Sequence, residues 1–112
     1  MERDKENSLR NLIEKSQMIN SKAFNLTRCL LLALMSFNRN GIQYRELKTL
    51  LNISDGKLKS NIDYLEELEY IKSVQVILDQ RKVHIYMITD LGENELKKIS
   101  DLMMIMKKVW SE

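Results

Sequence analysis

The sequence predicts a mainly α-helical domain of the α+β class with one β-hairpin. Apolar residues recur at helical spacing over most of the 112 residues, and between Lys72 and Ile88 the apolar period changes to two. The length fits one domain rather than two. A composition of 44% hydrophobic and 30% charged residues is ordinary for a globular chain and too apolar for a disordered one.

Two helices are predicted before the first clear turn. A weak apolar stripe, with Ser8 as a possible N-cap, indicates a helix in the N-terminal segment. A stronger pattern predicts a helix over about residues 22–37. Its apolar stripe consists of Leu26, Leu30, Ala33, Leu34 and Phe37. Because Leu31, Leu32 and Met35 make this helix apolar on nearly all sides, we expect it to be the central and most buried one.

A turn and a very short strand at residues 42–43 lead into two further helices. The first is short, with its leucines inward and its basic residues outward. Either Ser54 or Asp55 can cap the second helix by accepting from backbone N–H groups that otherwise lack partners. This second helix covers about residues 55–69. Its buried face consists of Leu58, Ile62 and Leu65.

The hairpin and a last helix complete the pattern. Two alternating runs flank a predicted four-residue polar turn, Asp79–Lys82. Thr89 and Asp90 then open the last helix, where Asp90 and Glu93 have the spacing of a capping box. The apolar stripe of this helix runs from Leu96 to Trp110.

The net charge is only +2, but the charges are unevenly distributed along the chain. Residues 39–61 carry five positive and two negative side chains, a net charge of +3, and residues 72–88 carry a net charge of +2. Residues 62–71, which lie between them, carry four negative side chains and no positive one. This alternation fits a protein with a basic face and an acidic back. A mixed solvated surface is the other interpretation.

Catalytic and metal-binding patterns are missing from the sequence. Cys29 is the only cysteine and His84 the only histidine, so these residue types build neither a disulfide nor a tetrahedral zinc site within one chain. Cys29 lies in the most apolar helix and fits a small core residue. There is no glycine-rich phosphate loop and no nucleophile elbow. We expect a protein that is not an enzyme and holds no metal or cofactor.

Export and membrane insertion are not supported either. The N-terminal segment is charged in both signs and is followed by no apolar h-region. The longest apolar run, Cys29–Met35, is far shorter than the about 20 residues that span a bilayer. We expect a cytoplasmic protein that does not associate with membranes.

Four segments have the order and spacing of a known motif. Tyr44–Leu51 has the features of a first helix, and Ser54–Leu68 those of a recognition helix, the helix that enters the major groove of DNA. Glu69–Ile71 fits the step into the hairpin, or wing, and Tyr86–Gly92 fits the exit from it. Together these segments resemble a winged helix-turn-helix domain of the MarR-like type of bacterial and archaeal transcription regulators, and the resemblance covers about half the chain, from Gly41 to Leu96. The resemblance implies this fold, with an additional helix at each end.

The resemblance also implies sequence-specific binding of double-stranded DNA by a homodimeric transcriptional regulator at a pseudo-palindromic site. The recognition helix, about residues 55–69, would lie in the major groove, and the wing, residues 72–88, on the adjacent minor groove or backbone. The start of the recognition helix carries side chains that reach phosphates or base edges, and its acidic residues follow in the second half. The candidate DNA-binding residues are Arg45, Lys48, Ser54, Lys57, Lys59, Ser60, Asn61, Tyr64, Arg81, Lys82 and His84. The alternative function is a winged helix that docks partner proteins without binding DNA.

We expect a single domain with three parts: an N-terminal helix in residues 1–21, a winged-helix core in residues 22–89 and a C-terminal helix in residues 90–112. The apolar stripes of the two terminal helices lie outside the core, so we predict that they form a homodimer interface. The predicted interface residues are Leu9, Leu12, Ile13, Ile99, Leu102, Met103, Met106, Val109 and Trp110. The alternative is that the terminal helices pack on each other within one chain. No residue pattern identifies a small-molecule effector.

Overall fold

The computed structural model describes residues 2–111. Within them it contains five helices and one three-stranded antiparallel sheet. The elements are α1 (Glu2–Ser16), α2 (Leu26–Phe37), β1 (Ile42–Gln43), α3 (Tyr44–Leu51), α4 (Asp55–Glu67), β2 (Ile71–Leu78), β3 (Arg81–Ile88) and α5 (Asp90–Ser111). The α+β class predicted from the change of apolar period is confirmed.

The sheet consists of the hairpin β2–β3 and the short strand β1, with β3 in the middle. Ile71 pairs with Ile88 at the base of the hairpin, and Leu78 pairs with Arg81 at its tip. The predicted four-residue turn is wrong, because the turn contains only Asp79 and Gln80. Both have positive φ, 50° and 64°, the backbone conformation that matches the twist of a two-residue hairpin turn.

Helix α2 begins at Leu26, later than predicted. The side chain of Asn25 caps it by accepting a hydrogen bond from the Arg28 N–H at 2.7 Å. The apolar stripe at helical spacing is not the buried face of α2, since Leu26 and Phe37 are 76% and 92% exposed. The face that enters the core consists of Cys29, Leu31, Leu32 and Met35. A helix that is apolar on nearly all sides does not reveal its buried face, which here is set by the packing of α4, β3 and α5 against it.

The main core lies where α2, α3, α4 and the base of the wing meet. Its fully or almost fully buried side chains are Ala23, Leu31, Leu32, Met35, Ile42, Leu47, Leu58, Ile62, Leu65, Tyr70 and Ile71. The leucines of α3 and α4 that the sequence predicts to point inward are thus confirmed for Leu47, Leu58 and Leu65, whereas Leu50 is 60% exposed. This core holds α3 and α4 in a fixed relation to the wing.

Local hydrogen bonds set the ends of α3 and α4. Asn52 adopts the left-handed conformation that ends α3, and its N–H donates to the carbonyl of Lys48. The Ser54 hydroxyl accepts from the Lys57 N–H at 3.2 Å and caps α4, so Ser54 rather than Asp55 is the cap of the two predicted candidates. The helix-turn-helix therefore follows from two short-range signals in the sequence.

The start of α5 differs from the predicted capping box. The hydroxyl of Thr89, rather than the side chain of Asp90, accepts from the Gly92 N–H at 3.1 Å. The Glu93 carboxylate does not return to the cap, because it accepts from the Ser36 hydroxyl at 3.0 Å and pairs with Arg39 at 3.4 Å. These contacts join the start of α5 to the C-terminal end of α2.

Helix α1 packs along α5 and gives the molecule an elongated shape of 63 × 25 × 22 Å. Ser8 lies in the middle of α1 and is not its N-cap. Ile99, Leu102 and Val109 are buried within the chain, with exposed fractions of 1%, 6% and 5%. Their assignment to a homodimer interface is therefore corrected, because packing within the chain already removes these side chains from the surface. No helix among residues 2–111 is both long enough and apolar enough to cross a membrane.

Candidate nucleic-acid interface

Helix α4 turns a polar face to solvent. Its buried residues on the opposite side include Leu58, Ile62 and Leu65. The exposed residues of this face are Gly56, Lys59, Ser60, Asp63 and Glu67, and they line a shallow surface depression of about 410 Å³ together with Tyr64. Lys57 is exposed on the neighbouring flank. The N-terminal half of α4 therefore presents lysine and serine side chains beside one carboxylate, Asp55, while the other carboxylates follow from Asp63 onward.

Tyr44, the first residue of α3, contacts both the wing and the start of α4. Its hydroxyl donates toward Asp55, where the carbonyl oxygen is at 3.2 Å and Oδ1 at 3.3 Å. Its ring is tilted against that of Tyr86 on β3, with 6.3 Å between the ring centres. Partial burial, followed by the charge of Asp55, raises the pKa of Tyr44.

A groove of about 390 Å³ lies between the start of α3 and the outer part of the wing. Its walls consist of Gln43, Tyr44, Arg45, Arg81, Lys82, Val83, His84 and Tyr86. Two elements far apart in the sequence thus bring Arg45, Arg81 and Lys82 to the walls of one groove. A groove lined by these cations and by two tyrosines is suited to an anionic ligand.

Two of the predicted DNA-binding lysines have carboxylate partners. Lys48 pairs with Asp55 at 3.0 Å, and this hydrogen bond lowers the pKa of the Asp55 carboxyl below its usual range. Lys59 lies 3.9 Å from Asp63, one turn further along α4. Among the side chains that the structure describes, the other four predicted cations make no ion pair. They are Arg45, Lys57, Arg81 and Lys82.

The structure corrects the role predicted for Asn61. Its side chain is buried, Nδ2 donates to the Lys57 carbonyl at 2.8 Å, and Oδ1 accepts from Nε of Arg28 at 2.9 Å. Tyr64 is half-buried, and the Arg28 guanidinium lies over its ring, 4.0 Å from the ring centre. Arg28 was not singled out in the sequence, because nothing local connects a residue of α2 to positions 33 and 36 residues later.

The remaining predicted site residues are accessible. Ser60, Arg81, Lys82 and His84 are exposed. The hydroxyl of Ser54 accepts the capping hydrogen bond and keeps its own proton available for donation. Tyr44 is a site residue that the sequence analysis did not select. Its position directly after β1, which pairs with the wing, is the signal that could have identified it.

The arrangement of α3, α4 and the β2–β3 hairpin defines a helix-turn-helix DNA-binding domain with a wing. The model of a family described as "winged helix DNA-binding domain" matches residues 27–106, most of the chain. The chain therefore belongs to the winged helix DNA-binding domain family.

Solved structures agree with this fold. A transcriptional regulator homologue from Pyrococcus horikoshii OT3 is similar with a TM-score of 0.69 and 24% sequence identity, over 94% of this chain and 95% of that chain. The adhesin competence repressor from Streptococcus pyogenes is similar with a TM-score of 0.64 and 18% identity, over 99% of this chain and 79% of the repressor. The search of curated proteins gave no match.

Proposed function

We propose that this winged-helix protein binds double-stranded DNA as a homodimeric transcriptional regulator, with α4 in the major groove and the wing on the adjacent minor groove or backbone. In this binding mode the first turns of the recognition helix approach the base edges, and Lys57 and Lys59 are exposed there. Arg45 on α3, together with Arg81 and Lys82 on the wing, binds backbone phosphates.

The observation that carries the proposal is the pair of contacts made by Tyr44. Because Tyr44 touches both Tyr86 of the wing and Asp55 at the start of α4, these two elements are neighbours on the same part of the surface. A duplex that accepts α4 in one groove therefore lies beside the cations of the wing. The acidic residues Glu66 and Glu67 lie at the other end of α4.

The homodimer in this proposal is supported by apolar side chains that α1 and α5 leave exposed. From the predicted interface these are Leu9, Ile13, Met103, Met106 and Trp110, and Trp110 is 82% exposed. Methionine and aromatic side chains are typical of interfaces between subunits. A two-fold dimer presents two copies of α4 to two half-sites about one helical turn apart, which is the reason to expect a pseudo-palindromic site.

The test is binding to duplex DNA as a function of salt concentration. We expect the affinity of the wild-type protein to fall steeply as salt rises, because bound cations release counterions from DNA. Lys57→Ala and Arg81→Ala should each lower the affinity by about fivefold, and Arg81→Ala, which removes a phosphate contact, should also reduce the salt slope by about one. The matched control is Lys107→Ala near the C-terminal end of α5, which should leave both quantities unchanged.

Two results would contradict the proposal in different ways. If the wild-type protein has no salt-dependent affinity for duplex DNA, the function is not DNA binding, and docking of partner proteins becomes the better interpretation. If the wild-type protein binds but Lys57→Ala and Arg81→Ala do not differ from it, DNA contacts another face.

Selection of bound duplexes from a random pool identifies the DNA sequence that the wild-type protein prefers. This sequence is the selected duplex.

A further inference from the structure

The side chain of Arg28 on α2 reaches across to α4. Its Nε donates to Oδ1 of Asn61 at 2.9 Å, and its guanidinium lies over the ring of Tyr64 at 4.0 Å from the ring centre. A second nitrogen of the guanidinium donates to the carbonyl of Lys22, in the turn before α2. One planar group therefore connects the N-terminal end of α2 with two residues, Asn61 and Tyr64, on one flank of α4.

The partners of Arg28 are themselves held in place. The amide of Asn61 is buried, and its Nδ2 donates to the Lys57 carbonyl one turn earlier in the same helix. This bond orients Oδ1 toward Arg28. Tyr64 follows Asn61 by three residues and so lies on the same flank of the helix. Two contacts that are almost one turn apart restrain rotation of α4 about its own axis as well as its position.

Rotation of this helix determines which side chains it presents. Residues three and four positions apart in an α-helix differ by about 60° and 40° in direction, so a modest rotation replaces one outward side chain by another. In α4 the neighbours differ greatly in chemistry, since Lys59 and Ser60 lie near the carboxylate of Asp63 on the exposed face. A helix that is free to rotate would present a mixture of cationic and anionic groups to DNA.

We propose that Arg28 is a positioning residue for the recognition helix: by holding Asn61 and Tyr64 it sets the rotation of α4, and thereby which side chains face DNA. The effect on DNA recognition rests on the function proposed above, whereas the restraint on α4 does not. Arg28 acts through Asn61 and Tyr64 and does not itself contact the bases. Its role depends on the planar guanidinium, which bonds and stacks at the same time, and not on positive charge alone.

The test compares variants that separate geometry from charge. Arg28→Lys keeps the charge but loses the planar group that bonds Asn61 while it covers Tyr64. We expect this variant to lose about tenfold in affinity for the selected duplex, while its affinity for an unrelated duplex and its salt slope remain those of the wild type. Arg39→Lys is the matched control, because Arg39 is exposed and pairs with Glu93 away from α4.

A second variant and a measurement without DNA test the same restraint. Tyr64→Leu removes the ring, and Arg28→Lys combined with Tyr64→Leu should cost no more affinity than the larger of the two single effects. In the free protein, amide hydrogen exchange along α4 should be faster in Arg28→Lys than in the wild type or in Arg39→Lys.

Several outcomes would overturn the inference. If Arg28→Lys binds the selected duplex as tightly as the wild type and α4 exchanges at the same rate, Arg28 does not position the helix. If Arg28→Lys is unaltered while Arg28→Gln lowers the salt slope by about one, Arg28 contacts a phosphate directly. If the wild-type protein binds no duplex, the proposed function fails, and hydrogen exchange still decides whether Arg28 restrains α4.

Discussion

Gly92 allows α5 to start directly against the backbone at the base of the wing. A Cβ atom at this position would overlap the Tyr70 carbonyl oxygen and would lie 2.8 Å from Cγ1 of Ile88. The Tyr70 carbonyl has little freedom to move away, because it accepts a hydrogen bond from the Thr89 N–H at 3.0 Å. The absence of a side chain at Gly92 is therefore a packing requirement of the junction between β2, β3 and α5.

Alanine substitutions at two helical glycines should have opposite effects on stability. Gly92→Ala should lower the free energy of unfolding by about 2 kcal/mol or more, because the new methyl group meets fixed backbone. At Gly56 a Cβ meets nothing within 4 Å. Gly56→Ala should therefore raise the free energy of unfolding, by up to about 1 kcal/mol, through better helix propensity. Urea unfolding at one protein concentration measures the free energy of unfolding of both variants. Equal effects of the two substitutions would contradict the packing role of Gly92.

At the scale of single residues, local roles could be predicted and long-range roles could not. Ser54 was one of the two predicted caps, with Asp55, and this was possible because its partner, the Lys57 N–H, is three residues away. Asn61 was predicted to contact DNA. Its partner in the structure is Arg28 on α2, which is 33 residues away in the sequence, so no local pattern reveals the contact. A polar residue on a helix has the same appearance in the sequence whether its partner is a base or another side chain.

At the scale of elements, the wing has a tight turn of unfavourable composition. Asp79 and Gln80 both take positive φ, which glycine and aspartate adopt readily but which strains a residue with a long side chain such as Gln80. The turn is held because β2 and β3 pair along their whole length, from Ile71↔Ile88 to Leu78↔Arg81. This pairing keeps Arg81 at the tip of the wing, next to the groove that it lines.

Replacing one turn residue should stabilise the wing. Gln80→Gly should raise the free energy of unfolding by about 0.5–1 kcal/mol, because glycine adopts positive φ without strain. The control is Gln75→Gly within β2, where Gln75 is exposed and paired with His84. That change should lower stability by a similar amount, about 0.5–1 kcal/mol. Thermal unfolding distinguishes the two, and a loss of stability in Gln80→Gly would show that the turn is not strained.

Helix α2 illustrates the limit of apolar periodicity at this scale. Its existence and its last residue, Phe37, were predicted correctly, but the apolar period did not identify its buried face. Leucines occupy both faces, so the sequence offers two nearly equivalent stripes. The stripe that contains Leu31, Leu32 and Met35 packs into the core, and Leu26 lies on the surface.

At the scale of the whole molecule, a buried polar cluster connects the helical arm formed by α1 and α5 with the winged-helix part. The carboxylate of Glu95 on α5 accepts from the Asn20 N–H at 2.8 Å and from the Tyr70 hydroxyl at 3.3 Å. Nζ of Lys98 lies 3.7 Å from the same carboxylate. Asn20 belongs to the connection between α1 and α2, and Tyr70 to the base of the wing. The carboxylate is thus satisfied by partners from three parts of the fold.

The proposed homodimer predicts that alanine substitutions at two exposed aromatic residues differ in their effect on self-association. Trp110→Ala should weaken self-association by about tenfold or more, because large aromatic side chains at the centre of an interface contribute most of its affinity. Phe37→Ala is the matched control, since Phe37 is 92% exposed on α2. It should leave the dimer dissociation constant unchanged. Sedimentation equilibrium over a dilution series measures both constants, and an unaltered constant for Trp110→Ala would move the interface away from the arm.

The sequence by itself determined the order of the elements, the helix-turn-helix, the wing and most of the cationic residues of the candidate interface. These follow from apolar period, caps and turn residues, which act over a few positions. Tertiary structure alone decided which face of α2 is buried, that Ile99, Leu102 and Val109 pack inside the chain, and that Arg28 holds α4. The physical reason is that these outcomes depend on which surfaces meet across the fold, and a helix that is apolar or polar on several sides leaves that choice open.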